Sequence, residues 1–339
     1  MHAGKNFTFK EVLFWTRRDI YSLLIISAIP TLAFKLLGWT WLAIPWLPIA
    51  LVGTAVAFVV GFKNNASYER LWEARKVWGS IVNASRGWGI MIKDYVTNKH
   101  AASPLPEDEL CKIKTEFMNR HFAWLTALRF YLREPRIWEA IYQKHNAEYK
   151  DKWFSVAEHK GDLRTELANY LSSDELTTIM SKSNKAAHII SLQSTHLRKL
   201  LELGLIEDFR HIELEKSLLE FYNQQGASER IKNFPYPRQF ATINLYFIKL
   251  FVVLIPLGML QEFDRLGDFI WLSIPFSALS GWIFTTMEKI GESTESPFEG
   301  SANDVPITSI SRSIEIDLRE MLGMGNVPAA HKPENNILV

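Results

Sequence analysis

The chain has 339 residues, 47% hydrophobic and 22% charged, with 38 Lys and Arg against 37 Asp and Glu for a formal net charge of +1. Those figures exclude a disordered or fibrous chain and an overall basic field for nucleic acid; Cys111, the one cysteine, excludes an intramolecular disulfide framework and a cysteine-based zinc finger. A mean hydropathy of −0.04 is that of an ordinary soluble protein, so the decision rests on how the residues are distributed, above all the 13% that are aromatic.

Residues 1–19 form a charged N-terminal segment. From residue 20 to 62 the only charge is Lys35, a run far longer than the roughly 20 residues that cross a bilayer core. It divides into spans at 20–34 and 43–62. Trp39, Trp41 and Trp46 lie at the junction, where indoles favour the membrane interface, and Pro45 and Pro48 suit a helix entry. Acidic as well as basic residues precede the run and no small-residue cleavage site follows it, which disfavours a cleaved signal peptide.

Residues 63–238 are a different material, rich in charge, with apolar residues at helical spacing. Phe117, His121, Trp124, Leu125 and Leu128 share one face, as do Leu197, Leu200, Leu201 and Gly204. Pro104 and Pro106 separate two long helices. Gly204 is placed to close one helix and Asp208 to cap the next, over 209–225. There is no alternating β pattern, GxGxxG, P-loop or repeat, so the segment is expected to be a helical cytoplasmic domain continuous with the membrane helices.

A second apolar zone covers 239–287, with spans at 239–260, broken only by Lys249, and 269–287. The connection holds Glu262, Asp264 and Asp268 against Arg265, net −2. Basic residues flank the other side: Lys5, Lys10, Arg17 and Arg18; Lys63, Arg70, Arg75 and Lys76; Arg230, Lys232 and Arg238. The positive-inside rule then places both termini, the middle domain and a C-terminal segment, 288–339, in the cytoplasm, and makes 261–268 an acidic outer mouth. The expected class is all-α, with four spans in a cell inner membrane or plasma membrane.

No catalytic constellation emerges. Nine histidines include no HExxH or HxxxH pair, and no span carries paired ionisable groups, so neither an enzyme nor a metal or cofactor site is expected. Glu288, Glu292 and Glu295, at i, i+4 and i+7, read as a solvated helix face. More informative is the second span, where Thr54, Phe58 and Phe62 fall on one face, with Gly53, Ala55, Ala57 and Gly61 elsewhere. Such a row is a packing or lipid-facing row, or, if copies surround an axis, a hydrophobic constriction. Spacing does not choose between them.

The segment Gly61-Phe62-Lys63-Asn64-Asn65-Ala66-Ser67-Tyr68-Glu69-Arg70-Leu71-Trp72-Glu73, continuing to Trp78-Gly79, resembles the signature of the bestrophins in their bacterial form. Three further stretches agree: Gly204-Leu205-Ile206-Glu207-Asp208; Gly226-Ala227-Ser228-Glu229-Arg230-Ile231 leading to Pro235-Tyr236-Pro237; and Glu292 through Pro297-Phe298-Glu299-Gly300. Together they cover about residues 5–325 and are far more specific than any one alone. The resemblance implies a homopentameric channel for small monovalent ions, chloride favoured, embedded in lipid and binding no nucleic acid. It implies a neck at Thr54, Phe58 and Phe62. Threonine stands where isoleucine is common, which makes the outer ring wetter. It also implies a cytosolic aperture at the start of the helix after Gly204, with Arg210 the first choice and Phe209 and Ile212 competing. The calcium clasp of animal members requires an acidic run here represented only by Glu299, Asn303 and Asp304, too few oxygens for calcium, so a structural belt is expected. The acidic outer mouth keeps a cation (Na⁺/K⁺) channel of the same fold as runner-up. A non-conducting membrane scaffold or receptor is the alternative from another class.

Overall fold

A computed structural model describes all 339 residues. Twelve α-helices, three short 3₁₀ turns and two isolated β-bridges make up the regular structure. Helix α1 (Phe9–Leu37) opens on a reciprocal cap in which Thr8 and Glu11 satisfy each other's backbone N–H groups. Helix α2 (Trp46–Tyr95) is 50 residues long, about 75 Å at 1.5 Å per residue. The expected second span, 43–62, is the apolar upper part of this helix, which runs on past Phe62 without a break. Charge at Lys63 marks where the solvent changes, and nothing between Ile49 and Tyr95 is a proline that would break the backbone.

Outside the membrane-length helices the chain continues with α3 (Glu107–Arg133), α4 (Lys144–Trp153), α5 (Ala157–Lys160), α6 (Leu163–Leu167), α7 (Ser173–Met180), α8 (Lys185–Glu202) and α9 (Asp208–Asn233). Acidic residues Glu107, Asp108 and Glu109 fill the first turn of α3 and Arg133 the last, the order the helix dipole favours. Helix α3 is buried on nearly every side from Phe117 to Leu128, rather than along one stripe, because α8, α12, α6, α2 and α9 surround it. Gly204 does close α8. Its φ is +70°, and a Cβ there would lie 2.6 Å from the His100 carbonyl. Asp208 does not cap α9. It is the first helical residue, Glu207 holds the cap position without a side-chain bond, and the helix runs on to Asn233.

Helices α10 (Arg238–Asp264) and α11 (Ser273–Thr294) return through the membrane zone, joined by the 3₁₀ segment Gly267–Leu272, and α12 (Ile307–Met321) packs back on α2 and α3. Four helical stretches are long and apolar enough to cross a membrane: Phe9–Leu37, Thr40–Tyr95, Arg238–Asp264 and Gly267–Thr294. α1 lies antiparallel along α11, with Leu23 against Gly281 and the Thr31 hydroxyl 3.0 Å from that of Ser273. α2 packs on α10 and α11 in this zone, then on α9 and α12 below it. The chain ends meet beside α4, where Ala3 N–H donates to Asn336 and Leu338 N–H to Met1.

Candidate pore face and its cytosolic exit

One face of α2 is locked and the other is open. Val56 and Val60 are buried in a cluster with Ile248, Phe251, Val252 and Ile255 of α10. One turn lower, Lys63 is buried in an ion pair with Glu288 of α11. Beside it the Asn64 amide donates to the Met287 carbonyl at 3.1 Å, and Gly291 is the residue over which Asn64 lies, so closely that any Cβ would strike it. Arg70 then donates to the carbonyls of Glu295 and Ile231, 2.9 Å each. These ties fix the rotation of α2 about its axis.

Thr54, Phe58 and Phe62 therefore stand on the face that touches nothing in the subunit, with Phe58 65% and Phe62 71% exposed. The Thr54 hydroxyl donates to the Ala50 carbonyl of its own helix at 2.9 Å, so what it presents outward is a methyl and oxygen lone pairs.

At the Tyr95 end of α2 the three aperture candidates separate. Phe209, in the first turn of α9, is 84% exposed and Ile212 50%. Arg210 is drawn back against the end of α2. Its guanidinium lies 5.4 Å from the Tyr95 ring centroid, donates to the Tyr95 carbonyl at 3.4 Å and pairs with Glu207 at 3.4 Å. At the opposite end Arg265 pairs with Glu262 at 3.2 Å, while Asp264 and Asp268 are exposed and have no ion-pair partner.

The carboxylate row on α11 is not a solvated face. Glu288 is buried against Lys63 and Glu295 against Arg238, with Glu292 partly buried between them. The periodicity was right and the environment was not, because the cations that cover the row arrive from α2 and the start of α10. Lys63 shows the same limit from the other side. Counted by position it is one more flanking positive charge, yet it is 2% exposed.

Glu299 and Asp304 are also buried, in the loop between α11 and α12. Asp304 accepts from the Gly300 N–H at 2.6 Å, from the Ser301 hydroxyl and from Arg133 at 3.4 Å; Arg133 also donates to the Phe298 carbonyl at 2.9 Å. Glu299 accepts the Ile141 N–H at 3.2 Å. Asn303 donates its N–H to the Ser301 hydroxyl at 3.3 Å. The loop thus ties α11 to the end of α3. Burial, then the neighbouring Asp304 and Glu139, pushes the Glu299 carboxyl well above the usual range. Burial also raises Asp304 against the pull of Arg133. Nearby, Glu139 and Lys232 form a second buried pair. The most enclosed histidine, His121, bonds the Ser85 hydroxyl at 2.9 Å and is pushed down to about 3 by burial, so it stays neutral at physiological pH.

The model of the bacterial and fungal bestrophin proteins matches residues 12–320. The chain belongs to the bestrophin family. Among curated relatives, the voltage-dependent anion channel-forming protein YneE of Escherichia coli K12 is 26% identical over 289 residues, covering 85% of this chain and 81% of that one. The corresponding protein RSc3414 of Ralstonia nicotianae is 26% identical over 277 residues, 81% of this chain and 77% of that one. Among solved structures, a bacterial bestrophin homologue from Klebsiella pneumoniae superposes with a TM-score of 0.73 at 22% identity, covering 91% of this chain and 99% of that one. The all-helical fold with four membrane-length helices is the fold of that bestrophin structure. The chain is a membrane protein of a channel family, not an enzyme.

Proposed function

We propose that five copies of this chain surround one pore and pass small monovalent anions, chloride foremost, across the cell's inner or plasma membrane. The observation that carries the reading is the split of α2: one face bound by Lys63–Glu288, Asn64 and the α10 cluster, the other offering Thr54, Phe58 and Phe62 with no partner in the subunit. Arranged around an axis, that face is a neck of aromatic rings. Ring edges carry the positive part of the aromatic quadrupole and favour anions weakly, and a narrow apolar ring conducts only when wet. The curated relatives named as anion channel-forming proteins support the same ion sign.

Both termini and α3–α9 lie on the cytoplasmic side in this reading, following the basic flanks. The cytosolic aperture is assigned to Phe209 in preference to Arg210, since Phe209 stands free and Arg210 is engaged by Tyr95 and Glu207. The belt role of Glu299 and Asp304 rests on their bonds to Ile141, Gly300 and Arg133. A cation-selective pore is the second reading, favoured by the unpaired Asp264 and Asp268, which would concentrate cations at an outer mouth.

Purified protein in a planar bilayer under an NaCl gradient tests conduction and sign together. A reversal potential on the chloride side is expected. The opposite sign would assign the pore to cations, and absence of current in protein that native mass spectrometry finds monomeric would make the chain a scaffold.

A further inference from the structure

Where the lower ends of α1 and α11 meet α4, the protein forms a half-open cavity of about 300 Å³, at the lower end of the size range of small-molecule pockets. Phe7, Trp15, Tyr149, Phe154 and Ile290 supply much of its wall. The polar edges of these rings are already engaged: Trp15 N–H donates to Asn146 at 2.7 Å and Tyr149 O–H to Glu11 at 3.0 Å, and Glu11 is also bonded by Thr8. What they turn to the cavity is apolar surface.

Two polar groups on the wall differ. The Lys150 side chain is only 21% exposed, its ammonium makes no hydrogen bond, and its one ion-pair contact, to the outward-pointing Asp151, is 4.0 Å long. On the α11 side the Thr286 hydroxyl is buried without a partner. A half-open, mainly apolar space with one underused cation fits a guest made of a chain and a single negative head.

The position of the cavity agrees. Trp15 lies one turn below the Asp19–Lys289 ion pair that joins α1 to α11. Exposed Ile283, Met287 and Ile290, at i, i+4 and i+7 on α11, form an apolar row leading from the membrane span to the cavity wall. A guest partitioned into the inner leaflet has a continuous apolar path to it. One cation and a cavity of this volume match one alkyl chain, not the two chains and larger head of a phospholipid.

We propose that this cavity binds a fatty-acid carboxylate, with its alkyl chain against Phe7, Trp15, Phe154 and Ile290 and its carboxylate on Lys150. Because the walls come from α1, α4, α11 and the Ser301–Asn303 loop, the guest ties the first and fourth spans to the loop that leads into α12. The site is independent of which ion the pore passes.

The test is equilibrium binding of radiolabelled decanoate to the full chain in phosphatidylcholine nanodiscs, with empty nanodiscs as background. Saturable binding at one site per subunit is expected. Lys150→Gln should weaken decanoate about tenfold while leaving decanol unchanged, since only the charged head uses the ammonium. Lys150→Arg should retain most of it. Ile290→Trp fills the cavity and should abolish binding of both probes, and Thr286→Leu, filling from a different position, is the second variant should the first fail to fold. Binding no greater than in empty nanodiscs overturns the proposal, as does binding indifferent to Lys150→Gln and to both fillers. Loss of the label when phosphatidylglycerol replaces phosphatidylcholine would give the cavity to a phospholipid and overturn it equally.

Discussion

The membrane-length helices of this chain and its charged helical domain bury themselves to very different extents. Below the membrane, 37 buried apolar residues form one cluster around Trp78, Trp88, Phe117, Trp124 and Phe221, with rings packed edge to face. In the membrane half the comparable cluster has nine, and Leu51, Phe58, Phe62, Leu250 and Val253 remain exposed on the subunit. A helical half that leaves so much apolar surface open is completed by something outside the chain, lipid or further copies. The charged half has the larger core, although Phe209, Ile212 and Leu219 stay exposed there too. Burial in the larger core marks structural residues, whereas exposure without a partner in the subunit marks the candidate functional ones, Phe58, Phe62 and Phe209.

Substitutions can break that contrast. The largest effect is expected at the few charges buried in the membrane half. Lys63→Met strands Glu288 and should cost about 3–5 kcal/mol, with Lys63→Met/Glu288→Leu recovering much of it, measured by thermal unfolding in detergent. If both variants lose equally, the pair is not what fixes α2. Trp88→Ala in the cytosolic cluster is expected to cost about 3–5 kcal/mol in the same assay. Phe58→Ala, of similar chemistry but exposed, should change stability by only about 0.5 kcal/mol while raising chloride flux in liposomes. A large stability loss with unchanged flux would make the Thr54–Phe58–Phe62 row a packing face.

Smaller effects should follow pH. His121 is held neutral with its pKa pushed down to about 3, so the unfolded chain binds the extra proton and stability falls as pH drops below about 6.5. His121→Gln should flatten that part of a Tm–pH profile. Glu299 has the opposite sign. Its raised pKa means that the folded state loses stability as pH rises above the usual carboxylate range, so Glu299→Gln should gain on the parent as pH rises from there. An equal offset at every pH would show that Glu299 is ionised throughout.

Much of the fold was legible before any coordinates. Each apolar zone is long enough to be read by length and charge alone, and the Gly61–Gly79 signature carries the family. What escaped was whatever depends on which other helix comes near. Nothing local to Lys63 or Glu288 announces that they meet across 225 positions. Nothing in Asp208-Phe209-Arg210 says that the guanidinium will find the Tyr95 carbonyl and leave the phenyl ring outside. Hydropathy places the edge of the span at Phe62 because it reports the solvent around a helix; the continuity of the helix beyond that edge is a property of the backbone.

That continuity has a mechanical consequence. A rod of 50 residues whose one proline, Pro48, lies in the first turn has no proline hinge along its length. The Thr54–Phe62 row sits near its top, and its last residue, Tyr95, is gripped by Arg210 beside Phe209. A twist or tilt imposed at the Tyr95 tip is therefore carried along the helix to the Thr54–Phe62 row, so that in the proposed pore the neck and the aperture would open and close as one part.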